Sequence, residues 1–415
     1  MQSLPGFRDF APNDCAVRNY IFDRWREVAR RYGFVEYDGP LLEELDLYKK
    51  KSGDEIVKQL YEFTDKGGRM VALRPEMTPT LARIIAARHR EFKKPIKWFC
   101  LPQMFRYERP QRGRLREHYQ FNADIIGEKS LEAEVELIAL CVDLLRAFGF
   151  TAKEVVVRIS DREFWIDFLR GQNVPEEKWE EILQTIDKSE RESRDKTKDR
   201  LGSLAEPVFK LLDGEGKSEK LEQLLAALRA RGLAEFVQID FGIVRGLAYY
   251  SGVVFEAFDR GGKLRALAGG GRYDKLIELL SDGAASLPAL GFAMGDVVLA
   301  ELINESPVAK AKMDEVIVGQ QKLDVYIVIA KEERRVNALA QIQELRDAGY
   351  RVDYPLAAEK VGKQFQTAEQ LGARMAVLFG DEWPQLKIKD LASGEQILIP
   401  HEELSQHVAN LLSKS

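Results

Sequence analysis

The chain has 415 residues, 45% of them hydrophobic and 31% charged, and its formal net charge is -5. That length predicts two or three domains, and the acidic balance excludes a global basic field, so any nucleic-acid site must be a local patch. The opening MQSLPGFRDFAP has no continuous apolar stretch, and no run of about 18 uncharged apolar residues occurs, so neither a signal peptide nor a membrane span is expected. The 3 cysteines and 4 histidines include no CxxC spacing or paired cysteines. This predicts a reducing cytoplasm, no disulfide frame and no metal centre.

In chain order, Asn13 or Asp14 can cap a helix with Val17, Ile21, Trp25 and Val28 on one face, stopped by Gly33. LRPEMTPTLAR sets Arg74 and Glu76 before a helix start at Thr78 and Pro79; by itself it reads as a surface ion pair. PIKWFCLPQMFRYE alternates with period two and predicts a strand. It leads into FRYERPQRGRLREHYQF, in which five arginines (Arg106, Arg109, Arg112, Arg114, Arg116) surround a turn at Pro110–Gly113. Alternation puts Arg106 and Glu108 on one face of the first strand, and Phe105 and Tyr107 on the other. Arginine's planar fork suits bidentate phosphate binding, so this hairpin is the local basic patch. A helix is expected from Ser130 to Gly149.

From 161 to 234 the texture is polar and helical. Residues 187–200, DKSERESRDKTKDR, read as a solvated charge run. Strand signals return over 235–304. GIVRGLAYYSG places Arg245 beside Tyr249 and Tyr250, AGGGRYD permits either close backbone approach or a tight turn, and LGFAMGDVVL enters a helix at Asp296. Residues 305–321 read as a linker. Strand and helix signals then alternate over 322–415, which predicts a small, mostly parallel α/β domain. Residues 1–160 and 235–304 would form one α+β domain, an antiparallel sheet core interrupted by the helical insertion.

The order of these segments resembles the histidyl-tRNA synthetase family of class II aminoacyl-tRNA synthetases. LPGFRDFAP matches the family's opening, YGFVEYDGPLLE matches motif 1, and FRYERPQRGRLREHYQF matches motif 2. VRGLAYYSGVVFEA and AGGGRYD resemble the two histidine-specific segments, and GKQFQTAEQLGARMAVLFGDEW looks like the anticodon-binding domain. The resemblance implies ATP-dependent activation of histidine, transfer to tRNA(His), Mg²⁺ accompanying ATP, and a homodimer. Carried over residue by residue, it gives Arg106 and Arg245 the catalytic roles at the α-phosphate, Arg245 standing where relatives place a metal. Arg106, Glu108 and Arg114 would bind ATP, and Glu76, Thr78, Gln120, Asp124, Tyr250 and Tyr273 would bind histidine. Gln111 and Arg116 would face the tRNA. Two features depart from the family's pattern. Val297 and Val298 replace the Glu-Arg of motif 3, which removes an ATP-site cation, and Ala248 replaces an aspartate. A non-charging paralogue, the regulatory subunit of ATP phosphoribosyltransferase, is the alternative that these departures allow.

Overall fold

The computed structural model describes residues 2–49, 58–245 and 249–412; Ala248 lies outside them. The chain divides into two units, Met1–Met313 and Asp314–Ser415.

In the first unit the opening helix is Pro12–Arg31, with Ala11 at the cap position and no side-chain cap. Neither Asn13 nor Asp14 caps it, because Pro12 takes the first turn, where its fixed φ suits a helix and its missing N–H costs nothing. Strands follow at β1 (Val35–Glu36), β2 (Leu42–Glu44), β3 (Tyr61–Thr64), β4 (Met70–Leu73), β5 (Ile96–Cys100), β6 (Gln103–Phe105) and β7 (Glu117–Ile126). After the helix Leu131–Ala147 come β8 (Val155–Asp161), β9 (Val237–Ile239), β10 (Val253–Asp259), β11 (Ala268–Arg272) and β12 (Ala289–Gly295). Between β8 and β9 the described chain is helical, from Arg162–Gly171 to Glu219–Ala230. The large sheet runs β1-β5-β7-β12-β11-β10-β8-β9, with β6 added on β7, and β2-β4-β3 form a small separate sheet. Only β1–β5 and β8–β9 pair in parallel within the large sheet; its centre is antiparallel.

The two faces of this sheet differ because side chains alternate along each strand. One face carries Phe121, Phe255 and Phe292, with ring centroids 5.6 and 5.7 Å apart. Trp25 of the opening helix packs on Phe121 at 5.9 Å and is fully buried. Each such ring contributes about 1.5–3 kcal/mol through burial, so this face anchors the domain. On the other face, β7, β12, β11 and β10 align Asn122, Ala293, Gly269 and Glu256 in one row. The next row holds Asp124, Gly291 and Gly271. Small and polar residues leave this face open for a ligand.

The segment expected as a linker is a helix over Pro307–Gln321. Proline at its start and the helix formers Ala309, Lys310, Ala311, Lys312 and Met313 behind it favour that state. The second unit contains β13 (Val325–Ile329), β14 (Val352–Asp353), β15 (Met375–Phe379), β16 (Gln385–Asp390) and β17 (Gln396–Pro400), in the order β14-β13-β15-β16-β17. The β14–β13–β15 half is parallel. β16 and β17 add an antiparallel hairpin that makes the sheet mixed. Its turn is set by the Asp390 carboxylate, which accepts from the N–H groups of Ala392 and Ser393, and by Gly394 at φ 77°. Among the described residues no helix is long and apolar enough to cross a membrane.

Candidate active site

The hairpin around the five arginines is shorter than alternation predicts. Ladder pairing ends at Phe105 and Glu117, and one further bond runs from Arg106 N–H to the Arg116 carbonyl at 2.9 Å. Beyond that the chain folds into a loop with an isolated bridge between Gln111 and Arg114. Pro110 and Gly113, at φ 70°, account for the break. The two-faced first strand therefore stops before Tyr107, and side-chain bonds set the loop instead. Arg114 pairs with the buried Glu108. Arg116 donates to the Glu108 carbonyl at 3.0 Å and lies over the Tyr107 ring at 4.2 Å. Arg112 pairs with Glu301 and Glu305, and Glu301 also accepts from Gly113 N–H. Gln111 and Arg109 are exposed on this loop.

Arg74 corrects the surface ion-pair expectation, since it is only 2% exposed. Its guanidinium donates to the Gln103 carbonyl, the Asp38 carboxylate and the Gly39 carbonyl, each at 2.9 Å. It thus ties the Asp38–Gly39 segment to β6 and sets the position of the following residues. The neighbouring Pro75 carbonyl accepts from Arg106 Nε at 2.9 Å, which aims Arg106 across the sheet face. Glu76 is also buried.

AGGGRYD is a strand, β11, and no tight turn. A Cβ on Gly269 would lie 1.6 Å from Arg245 Nη1, and one on Gly291 would lie 2.0 Å from Asp124 Oδ1. Both glycines therefore make room for a charged side chain lying flat on the sheet. Arg245 has φ 55°, a left-handed conformation that costs a non-glycine residue free energy. Its carbonyl accepts from Arg162 Nη1 at 3.0 Å and its guanidinium pairs with Glu256 at 3.1 Å. Burial pushes the Glu256 carboxyl up, and Arg245 pulls it back down. The Tyr273 hydroxyl donates to Asp124.

Two hollows lie on this face. The smaller, about 110 Å³, is lined by Glu76, Thr78, Gln120, Asp124, Tyr250 and Tyr273, with Asn122 and Tyr249 among their neighbours. All six residues expected around histidine are thus brought together. The larger, about 590 Å³, takes in Arg106, Glu108 and Arg114, the three expected around ATP. Arg106 and Arg245 line both. Gln111 and Arg116 line neither. Val297 and Val298 reach the wall of the larger hollow. So does His118, whose imidazole is held neutral: burial, then the charges of Arg106, Arg8 and Arg114, push it down to about 3.

Sequence reasoning missed Arg191 and Arg265 in that wall. Arg191 sits in the charge run that reads as solvated, so no local signal marks it. Arg265 lies in the irregular connection before β11, outside any strand, so no periodicity marks it either.

A family model described as Histidyl-tRNA synthetase matches residues 6–296, and one described as Anticodon binding domain matches 324–411. The chain is 44% identical to the histidine–tRNA ligase of Opitutus terrae, with 99% of each chain covered. It is 39% identical to the chloroplastic/mitochondrial histidine–tRNA ligase of Arabidopsis thaliana, over 96% of this chain and 85% of that one. The crystal structure of histidyl-tRNA synthetase from Nostoc sp. PCC 7120 shares the fold at TM-score 0.78 and 22% identity, over 99% of both chains. Sheet, insertion and second unit are those of an aminoacyl-tRNA synthetase. The chain belongs to the histidyl-tRNA synthetase family.

Proposed function

We propose that this protein is a histidine–tRNA ligase, which activates histidine with ATP and passes the histidyl group to the 3′ end of tRNA(His). The observation that supports it most is that Arg106 and Arg245 line both hollows. In this reading the smaller hollow holds histidine and the larger holds ATP, so the histidine carboxylate and the α-phosphate meet at that junction. Attack of the carboxylate on phosphorus needs alignment and stabilisation of developing charge, which two fixed guanidiniums supply. Glu76, Thr78, Gln120 and Asp124 bind the polar groups of histidine, and Tyr250 and Tyr273 line its imidazole. Arg114 and Glu108 hold the nucleotide.

Mg²⁺ enters with ATP in this reading. Among the described residues no cluster of three or more His, Cys, Asp or Glu could hold a metal. Mg²⁺ needs only one or two carboxylates beside phosphates and water; the larger hollow has Glu108 and Glu256, each paired with an arginine, so phosphate and water oxygens would supply most of the ligands. That set fits an ion carried by the triphosphate, where it screens phosphate charge. Residues 322–415 would bind the anticodon, and the exposed Gln111 the acceptor end. Arg116 is a weaker tRNA contact than the sequence implies, because the loop itself engages its guanidinium. A cytoplasmic homodimer completes the proposal.

Charging of tRNA(His) transcripts with and without an additional 5′ guanosine tests this reading. Histidine transfer is expected with at least one of the two. No transfer to either, together with no adenylate formation, would favour the regulatory paralogue.

A further inference from the structure

The larger hollow is lined by five arginines (Arg106, Arg114, Arg191, Arg245 and Arg265) against two glutamates, Glu108 and Glu256. Both glutamates are already committed, Glu108 to Arg114 and Glu256 to Arg245. The cationic surplus therefore has no internal counter-charge in the hollow, and such a surplus is stable only if an anion enters or water remains. Arg265 feels it most directly. No hydrogen bond or ion pair ties its guanidinium to another described residue. Burial, then the like charge of Arg114, lowers its pKa, and Arg191 adds to that while Glu108 opposes it. Its stem lies close to Gly113. A Cβ built on Gly113 would meet Val298 Cγ2 at 3.3 Å and Arg265 Cδ at 3.5 Å. So Arg265 and Val298 converge on one point beneath the arginine loop, and a cation on the sheet side stands beside an apolar side chain on the helix side.

We propose that Arg265 binds the terminal phosphates of ATP together with Arg114, supplying from the β10–β11 connection the cation that Val298 does not supply from the helix Asp296–Glu305. The inference rests on the reading of the larger hollow as the ATP site. Arg106 and Arg245, shared with the smaller hollow, belong to the α-phosphate end. Arg265 lines only the larger one, where the chain of phosphates must extend. A planar guanidinium with no carboxylate partner is free to take two phosphate oxygens at once.

The test is equilibrium binding of ATP with Mg²⁺, and separately of histidine, to the full chain and to its Arg265→Ala and Arg265→Lys variants. Loss of one charge-assisted phosphate contact is expected to weaken ATP binding by about tenfold to a hundredfold in Arg265→Ala. Arg265→Lys should lose less, and histidine affinity should stay within about twofold, as expected for a local change. Wild-type binding of ATP with an unchanged affinity in Arg265→Ala overturns the inference and leaves the ATP site standing; an effect confined to tRNA charging falls under that outcome. Equal weakening of ATP and histidine also overturns it, because general damage to the site would explain both. Failure of the wild type to bind ATP removes the underlying reading, and the inference with it.

Discussion

Arg245 pairs with Glu256 at 3.1 Å while lying in the space left by the missing side chain of Gly269. β10 supplies the carboxylate and β11 the glycine, at directly paired positions. The guanidinium is thereby held flat on the sheet at the junction of the two hollows. Gly269→Ala would push it off the sheet without opening a cavity. Pyrophosphate exchange should fall about 100-fold or more, the scale for removing one preorganised charge contact. Thermal unfolding should change little, because a flexible arginine end can move aside. Wild-type exchange in this variant would show that the position of Arg245 is not critical.

Gly291 has the same relation to Asp124, with a Cβ position 2.0 Å from its Oδ1. Gly291→Ala should displace the Asp124 carboxylate and its Tyr273 partner. The expected result is a KM for histidine raised at least about tenfold, the scale of one charged contact, with the KM for ATP nearly unchanged. A selective rise in the ATP value instead would contradict the assignment of the smaller hollow to histidine.

Much of this site is legible in the sequence, because it sits on regular strands. Once Glu117–Ile126 is a strand, Gln120 and Asp124 must share a face; β12 lies beside it, and the GGG of β11 one strand further on keeps that face open. The loop between Arg106 and Arg116 is not legible in the same way. Pro110 and Gly113 break the alternation, and contacts far away in sequence then decide where each arginine goes, as Glu301 does for Arg112. Arg74 misleads for a related reason: its partners include two backbone carbonyls, which no sequence pattern displays. Arg191 enters the hollow from an insertion whose local composition looks wholly solvated.

Arg272 on β11 points to the opposite face, where it pairs with Glu134 of the helix Leu131–Ala147 at 2.6 Å; both side chains are under 10% exposed (7% and 5%). Removing one partner strands a buried charge. Arg272→Ala should destabilise the first unit by about 3–5 kcal/mol, read as a shifted urea midpoint. Replacing both partners with apolar residues should cost less than the single change. A single-variant loss below about 1 kcal/mol, the scale of an exposed pair, would show that solvent reaches the pair.

Asp296 accepts from Arg8 at 2.8 Å and from Tyr119 N–H at 2.9 Å, joining the chain's first residues to β7 and the last helix of the sheet domain. Burial pushes its carboxyl up from 3.8 to about 6, with Arg8 opposing. A carboxyl raised in this way holds its proton more tightly in the folded chain. Its favourable contribution is complete below about pH 4 and is lost as pH rises through about 6, a change on the order of 1–3 kcal/mol. Asp296→Asn keeps an acceptor for Tyr119 N–H and removes the titration. The stability of the variant relative to wild type should therefore improve between pH 5 and pH 8. A difference that stays flat across that range would mean that Arg8 holds Asp296 ionised throughout.

Histidine-dependent exchange of pyrophosphate into ATP is the most direct measure of two substrates meeting between Arg106 and Arg245. Purified full-length protein with Mg²⁺ should catalyse it with histidine and not with other amino acids, and Arg245→His should abolish it while the protein stays folded. Absence of exchange in the wild type, or undiminished exchange in Arg245→His, would contradict the proposed chemistry of the junction.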